Sequence, residues 1–129
     1  MSLGAVIEAV VATRDLDASI DFHTRAFDLE VLRRDAGGAL LGGPGGTTGL
    51  LRLVATPGAP DLPDPEIWDF GPRLLGMYTR DVERTAAAIE AAGGRSLERV
   101  TYAYGEGTLT EFVGFGTDGI WWTIPWARP

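Results

Sequence analysis

Aromatic side chains are concentrated near the end of the chain, where the segment GIWWTIPW (119–126) carries three of the four tryptophans. Trp68 and Phe70 lie in a proline-rich stretch earlier in the sequence, and Tyr104 lies in the turn sequence YAYGEG. Such rings bind flat ligands by stacking, worth ~0.5–1.5 kcal/mol per pair beyond the area buried, and an indole face also attracts cations. The chemistry that these residues offer is recognition of a planar molecule.

Residues for thiol or imidazole chemistry are scarce. The chain has no cysteine, which excludes disulfides and thiolate catalysis, and its one histidine is His23. Leu16, Ile20, His23 and Phe27 recur at helical spacing and predict one stripe of a helix. His23 is therefore predicted to be a core residue with one hydrogen bond rather than a metal ligand.

The charge balance narrows the class of partner. Lys and Arg number 11 against 18 Asp and Glu, which gives a net charge of −7. With so few basic residues, no basic stripe is available to bind nucleic acid. The negative net charge favours a cationic ligand through long-range attraction. The same charge would also keep the protein soluble. No apolar run reaches the ~18 residues of a membrane span, and the N-terminus lacks the basic segment of a signal peptide. A cytoplasmic protein is the simplest expectation.

The elements that would position these residues form a repeat. Thr-Arg-Asp occurs within both ATRDLDASIDF (12–22) and YTRDVERTAAAI (78–89), after an apolar stretch and before a segment with helical spacing. Asp15 and Asp81 are placed to cap the two helices, because their carboxylates can accept the unpaired N–H groups of the first turn. Two copies of one structural unit are implied.

Each copy predicts one helix and four strands in the order βαβββ. Short apolar runs between glycine-rich turns indicate the strands, and Gly93 and Gly94 end the second helix because glycine tolerates the left-handed conformation. The predicted strands are residues 5–12, 29–34, 38–43 and 49–55 in the first copy, and 73–79, 97–103, 108–115 and 119–125 in the second.

The length of 129 residues suits a single domain of residues 1–129. Module one is expected over residues 4–56 and module two over 72–127, with a connector over 57–71. Five of the eight prolines lie between residues 56 and 72, which indicates an extended connector. The modules are too small to be stable alone, so they are expected to pack together.

Three segments together resemble the vicinal oxygen chelate superfamily, which includes glyoxalase I, extradiol dioxygenases and bleomycin-resistance proteins. They are DLDASIDFHTRAFDLEVLRR (15–34), DVERTAAAIEAAGG (81–94) and GFGTDGIWWTIP (114–125). The resemblance covers nearly the whole chain. It implies an α+β fold in which two βαβββ modules form a curved mixed sheet around a cleft, and it implies a homodimer.

Enzymes of that family usually hold a divalent metal with four His or Glu ligands from the first and last strands of each module. The resemblance places these positions at Glu8, Arg52, Leu74 and Thr123, with Leu53 as the alternative to Arg52. Leucine cannot bind a metal, arginine repels a cation, and one carboxylate does not hold a dication. No metal and no other cofactor is therefore predicted.

Glu8 and Arg52 are predicted to interact with each other instead. The resemblance places the first and last strands of a module side by side, where a glutamate and an arginine would form a cross-strand ion pair. Two alternatives stay open: the pair contacts a polar group on a ligand, or it only neutralises two charges.

Side-chain alternation divides the tryptophans of the last strand. If Thr123 holds the former ligand position, Trp121 lines the cleft and Trp122 packs beneath the helix. Trp68 and Phe70 either cover the mouth of the cleft or anchor the connector. The predicted ligand-binding residues are Glu8, Arg52, Trp68, Phe70, Gly76, Tyr78, Tyr104, Trp121 and Thr123.

The favoured function is a metal-free binding protein of the antibiotic-resistance type, which sequesters a planar aromatic drug or secondary metabolite by stacking; a cationic ligand would gain more over an indole face. The alternative is a metal-independent isomerase or cyclase that uses Glu8 as a general base on a small carbonyl compound. A regulatory module, with the cleft filled by its own side chains, is the third. The Ala-, Gly- and Arg-rich composition is compatible with a bacterial source.

Overall fold

The computed structural model describes residues 8–43, 50–59, 74–116, 118 and 120–125, and it describes their side chains except at 74, 75, 77, 78 and 120–125. Within this part the chain has two helices, α1 and α2, and nine strands, β1 to β9. The first module contains β1 (Glu8–Thr13), α1 (Leu16–Phe27), β2 (Glu30–Asp35), β3 (Gly38–Gly42) and β4 (Leu50–Ala55). The second contains β5 (Leu74–Thr79), α2 (Val82–Ala91), β6 (Arg95–Ser96), β7 (Val100–Tyr104), β8 (Gly107–Phe115) and β9 (Ile120–Pro125).

The predicted α+β fold with a duplicated unit is confirmed. The first module has the order βαβββ, and the second differs only in that its second strand is divided into β6 and β7, which both pair with β8. The strand order is β1-β4-β3-β2 in the first sheet and β5-β9-β8-β6 in the second. Both sheets are mixed, because the first and last strands of each module run parallel while the other pairs are antiparallel.

The repeated Thr-Arg-Asp sequence starts both helices in the same way. The hydroxyls of Thr13 and Thr79 each donate to the backbone oxygen, and accept from the backbone N–H, of the aspartate two residues on. The carboxylates of Asp15 and Asp81 each accept the N–H three residues on at 3.0 Å, which satisfies a donor of the first turn. Both predicted caps are confirmed. The predicted end of α2 is confirmed as well, since Gly93 adopts a left-handed φ of 93°.

One face of the first sheet packs against α1. Val11, Leu41, Leu51 and Leu53 point to this side and form a buried cluster with Ile20 of the helix. Leu53 is fully buried, so the alternation along β4 puts Arg52 on the other face. We call the face of each sheet that lies away from its own helix the open face of that module. On the open face of the first module Val10 is 60% exposed.

The two modules meet through their helices. Phe22 and Ala26 of α1 form a second buried cluster with Ala86 and Ile89 of α2 and with Phe112 of β8. Because each helix lies between its own sheet and the other helix, the two open faces are turned away from this junction. Neither of the described helices is long and apolar enough to cross a membrane.

His23 is a core residue, as the helical stripe predicts. It is 1% exposed, and its Nδ1 atom lies 2.7 Å from the backbone oxygen of Ser19. The edge of the Phe22 ring packs on the imidazole with the ring centroids 5.1 Å apart. Burial lowers the pKa of His23, while the backbone hydrogen bond to Ser19 and the charge of Asp118 oppose this shift. The neutral form is therefore favoured in the folded protein.

Candidate functional site

Glu8 and Arg52 form a two-pronged ion pair on the open face of the first module. Strands β1 and β4 are parallel neighbours, with Val10 as the register partner of Arg52. The Nε atom of Arg52 donates to Oε1 of Glu8 at 2.8 Å, and its Nη2 atom donates to Oε2 at 3.2 Å. The side chains are 38% and 35% exposed for Arg52 and Glu8 respectively. The predicted cross-strand pair is confirmed.

The pair keeps both groups charged at neutral pH. The hydrogen bond from Arg52 lowers the pKa of Glu8 below its ordinary value, and this outweighs the opposing effect of desolvation. The same bond raises the pKa of Arg52 above its ordinary value. A carboxylate with a lowered pKa holds a proton less strongly, so Glu8 is a weaker base than an ordinary glutamate.

The residues around Glu8 do not fit a divalent metal. Both oxygens of its carboxylate accept hydrogen bonds from a guanidinium, which carries a positive charge and has no lone pair for a metal. Within the ranges that the structure describes, no three His, Cys, Asp or Glu side chains are grouped so that they could hold a metal ion. Both oxygens of the Glu8 carboxylate are thus already bound to a cationic group of the protein, the Arg52 guanidinium.

The register of the second sheet changes one predicted position. In the first sheet Glu8 is the register partner of Leu50, and Val10 is the partner of Arg52. In the second sheet the equivalent partners are Leu74 with Ile120 and Gly76 with Trp122. The residue of β9 that corresponds to Arg52 is therefore Trp122, and the assignment of Thr123 to that position is wrong by one residue.

The antiparallel pairing of β9 with β8 gives the same result. Thr123 is opposite Phe112, which packs under α2, whereas Trp122 is opposite Val113. Residues directly opposite in a sheet share a face, so strand position 123 is on the helix side and position 122 is on the open face. Position 121, opposite Gly114, is also on the helix side. The alternation thus exchanges the predicted faces of strand positions 121 and 122, and ligand contact by Trp121 or Thr123 stays a prediction.

A buried carboxylate on β8 was not singled out from the sequence. Glu111 is 4% exposed, and the hydroxyl of Tyr102 on β7 donates a hydrogen bond to it. This bond is the main cause that raises the pKa of Tyr102 to about 12. The sequence did contain an indication that Glu111 is buried, because alternation along β8 puts it on the same face as the apolar residues Leu109 and Val113.

The predicted ligand-binding residues are divided between the two modules. Glu8 and Arg52 lie together on the first open face, whereas Gly76 and Tyr78 lie on β5 and Tyr104 lies at the end of β7. Tyr104 is 62% exposed and shares the strand face of Tyr102. The predictions for Trp68 and Phe70 lie outside the described residues.

The fold and the duplicated module agree with the comparison against known families. A family model described as the Glyoxalase/Bleomycin resistance protein/Dioxygenase superfamily matches residues 5–124. This chain belongs to that superfamily. The match extends over both modules, so the predicted family is confirmed.

Solved structures of the superfamily's fold resemble the whole chain. An integron cassette protein from the mobile metagenome of V. cholerae is 18% identical with a TM-score of 0.65, and the match covers 98% of each chain. The bleomycin resistance determinant encoded on the transposon Tn5 is 18% identical with a TM-score of 0.65, over 95% of this chain and 98% of the other. A glyoxalase family protein from Enterococcus faecalis is 17% identical with a TM-score of 0.70, over 93% and 96%.

Identities of this size establish the shared fold of the superfamily member and leave its ligand to be argued from its own residues. No curated protein matched the sequence.

Proposed function

We propose that this superfamily member is a metal-independent binding protein that sequesters a planar aromatic drug or secondary metabolite. The observation that carries the proposal is the two-pronged Glu8–Arg52 pair, because it fills with a guanidinium the place where the family resemblance puts a metal. Without a metal to polarise a carbonyl, the usual chemistry of glyoxalases and dioxygenases has no support from these residues.

Exposed rings on the second open face support an aromatic ligand. Tyr104 and Tyr102 are 62% and 40% exposed, and the register puts the strand position of Trp122 on the same face as Gly76. Glycine at position 76 has no atom within 4 Å of where a Cβ would be, which leaves space above the strand. The net charge of −7 would attract a ring system that carries a positive charge.

The alternative of a metal-independent isomerase or cyclase requires Glu8 to accept a proton. The hydrogen bond from Arg52 lowers the pKa of this carboxyl, which makes it a poorer base. The alternative of a regulatory module requires a site filled by its own side chains, but Val10 and Tyr104 are more than half exposed on the two open faces. Binding without turnover is therefore the function that we favour.

We also propose a homodimer in the cytoplasm. In one chain the helices form the junction between modules, so the two open faces, as far as their residues are described, are turned away from each other. Placing the open face of one module against that of the other module in a second copy would bring Glu8 and Arg52 close to Tyr102 and Tyr104. Such a dimer would also cover Val10, whose exposure in one chain is unfavourable.

Metal analysis combined with ligand titration tests the proposal. Protein purified without added metal is divided into one portion treated with EDTA and one left untreated, and tryptophan fluorescence is followed while flat aromatic compounds are added. We expect less than one tenth of an equivalent of bound transition metal, equal quenching in both portions, and recovery of the compound unchanged. Stoichiometric metal whose removal abolishes binding, or conversion of the compound to product, would contradict the proposal.

A further inference from the structure

A cavity lies on the open face of the first module, at the end of the sheet near the turn between β2 and β3. Its volume is about 210 Å³. Leu40 and Val54 form its apolar part, and three charged residues, Arg33, Asp35 and Arg52, line the rest. A cavity that combines an apolar surface with a few convergent polar groups is typical of a small-molecule site.

A β-bulge brings Arg33 to this face. Val31 of β2 is opposite Leu41, but the next pair is Arg33 with Leu40, so one residue is skipped in the register. In a regular register Leu32 would be opposite Leu40, and Arg33 would be opposite Ala39, which is buried on the helix side. Bulges commonly redirect a side chain next to a binding site. The result is that Leu40 has Arg33 on one side and Arg52 on the other.

The guanidinium groups of Arg52 and Arg33 make different interactions with the protein. Arg52 uses Nε and Nη2 for Glu8, so its Nη1 group remains for a further acceptor. The Nη2 atom of Arg33 forms an ion pair with Asp35 at 3.9 Å, which is too long for a hydrogen bond, and the arginine side chain is 73% exposed. Asp35 instead accepts the backbone N–H of Gly37 at 2.8 Å. No hydrogen bond of the Arg33 side chain occurs among the residues that the structure describes.

The charges of the cavity differ from those of the chain. Two arginines and one aspartate give the lining a formal charge of +1, and the sum with Glu8, which pairs with Arg52, is zero, whereas the whole chain carries −7. Adjacent strands lie about 5 Å apart, so Arg33 and Arg52 start roughly 10 Å from each other across Leu40. Two long side chains can converge over that distance on one small acidic group, which they would hold by charge-assisted hydrogen bonds.

We propose that this cavity binds a carboxylate group of the planar ligand, held between Arg33 and Arg52 while the ring rests on Leu40 and Val54. This proposal rests on the proposed binding function and narrows the ligand to an aromatic acid. The ligand could also carry a positive group on another part of its structure. The negative net charge of the chain would attract that group at long range, while the two arginines bind the carboxylate by direct contact.

Three probes with one ring system separate the two proposals: 2-naphthoate, methyl 2-naphthoate and 2-naphthylmethylammonium. Their dissociation constants are measured by fluorescence quenching and calorimetry at pH 7.5 with wild-type protein and two variants. Arg33→Gln removes the charge at the cavity. Arg34→Gln is the matched control, because Arg34 is opposite Ala39 and pairs with Asp17 of α1 instead. Thermal melting verifies that both variants are folded.

We expect 2-naphthoate to bind wild-type protein roughly tenfold more tightly than the ester, with this preference lost in Arg33→Gln and kept in Arg34→Gln. If the ester and the amine bind but the acid has no advantage, the carboxylate site is wrong and the binding function stands. If the preference survives Arg33→Gln, or disappears equally in Arg34→Gln, the cavity is not its source. If none of the three probes binds, both proposals fail.

Discussion

The ion pair between Glu8 and Arg52 couples the ionisation of the two side chains. Each side chain is held by two hydrogen bonds to the other, so changing one of them changes the titration of its partner. The arginine at this place does what a metal would do for a carboxylate, which is to stabilise its charged form. Unlike a metal ion, the arginine has no coordination position that a substrate atom could occupy.

We predict that Arg52→Gln raises the pKa of the Glu8 carboxyl toward its ordinary value, because the main cause that lowers this pKa is lost. The carboxyl carbon of Glu8 is titrated by NMR between pH 2.5 and 7 in the wild type and in the variant. Arg34→Gln serves as a control that leaves this titration unchanged. An unchanged midpoint in Arg52→Gln would show that the pair does not persist in solution.

His23 gives a second prediction at this scale. Its folded-state pKa is lowered by burial, so below the ordinary value of 6.5 the unfolded chain binds a proton more readily than the folded one. The free energy of unfolding should therefore fall as the pH decreases from 7 through 6.5 toward 5. Urea unfolding measured across this range provides the slope, and His23→Gln, which removes the only histidine, should flatten it. An equal slope in both proteins would assign the effect to other groups.

At the scale of elements, the duplicated Thr-Arg-Asp sequence does the same work twice. Each aspartate caps its helix, and each preceding threonine fixes the backbone that leads into the cap. Because these hydrogen bonds involve only neighbouring residues, the same short motif starts both helices in the same way.

Replacing either cap should destabilise the protein by about 1 kcal/mol. We predict this loss for Asp15→Ala and for Asp81→Ala in urea denaturation, because each substitution leaves an N–H of the first turn without its acceptor. Asp81→Asn keeps a side-chain oxygen and should recover most of the stability. A loss in Asp81→Asn as large as that in Asp81→Ala would point to charge rather than capping.

The junction of the modules depends on close approach at glycine. A Cβ on Gly94 would lie 2.3 Å from the backbone oxygen of Phe115 and 2.8 Å from a ring atom of Phe22. We therefore expect Gly94→Ala to lower the free energy of unfolding by roughly 1–3 kcal/mol. Gly107→Ala, in β8 of the same module and with no atom within 4 Å of its Cβ position, should have a much smaller effect. Equal effects of the two substitutions would argue against a tight junction.

At the scale of the whole molecule, the two open faces have become chemically different. The first carries an ion pair and a cavity lined by two arginines, and the second carries exposed tyrosines and a buried glutamate. Because the helices keep these faces apart within one chain, a second copy is the simplest way to combine a polar half with an aromatic half.

The proposed dimer is tested by sedimentation equilibrium. Val10→Lys places a charge on the first open face and should shift the protein toward monomer, since a buried lysine without a partner is costly. Ala87→Lys makes the same change in charge on the exposed side of α2 and should leave the mass unchanged. A wild-type protein that is monomeric at high micromolar concentration would contradict the dimer.

Features that depend on neighbours along the chain or on the repeat could be predicted from the amino-acid order. The caps at Asp15 and Asp81, the core position of His23 and the element order follow from local hydrogen bonding and periodicity. The approach of Glu8 to Arg52 was predicted from the family resemblance, which placed their strands side by side, and the fold has those strands parallel and adjacent.

Features that depend on register could not be predicted in this way and became visible in the folded chain. A shift of one residue moves a side chain to the opposite face of a sheet, and the skip in β2 that brings Arg33 to the cavity leaves no signal in composition or spacing. The pairing of β9 with β5 and β8 likewise places position 122, rather than 123, in correspondence with Arg52. Register is set by contacts between strands far apart in the sequence, so alternation within one strand cannot tell which face is covered.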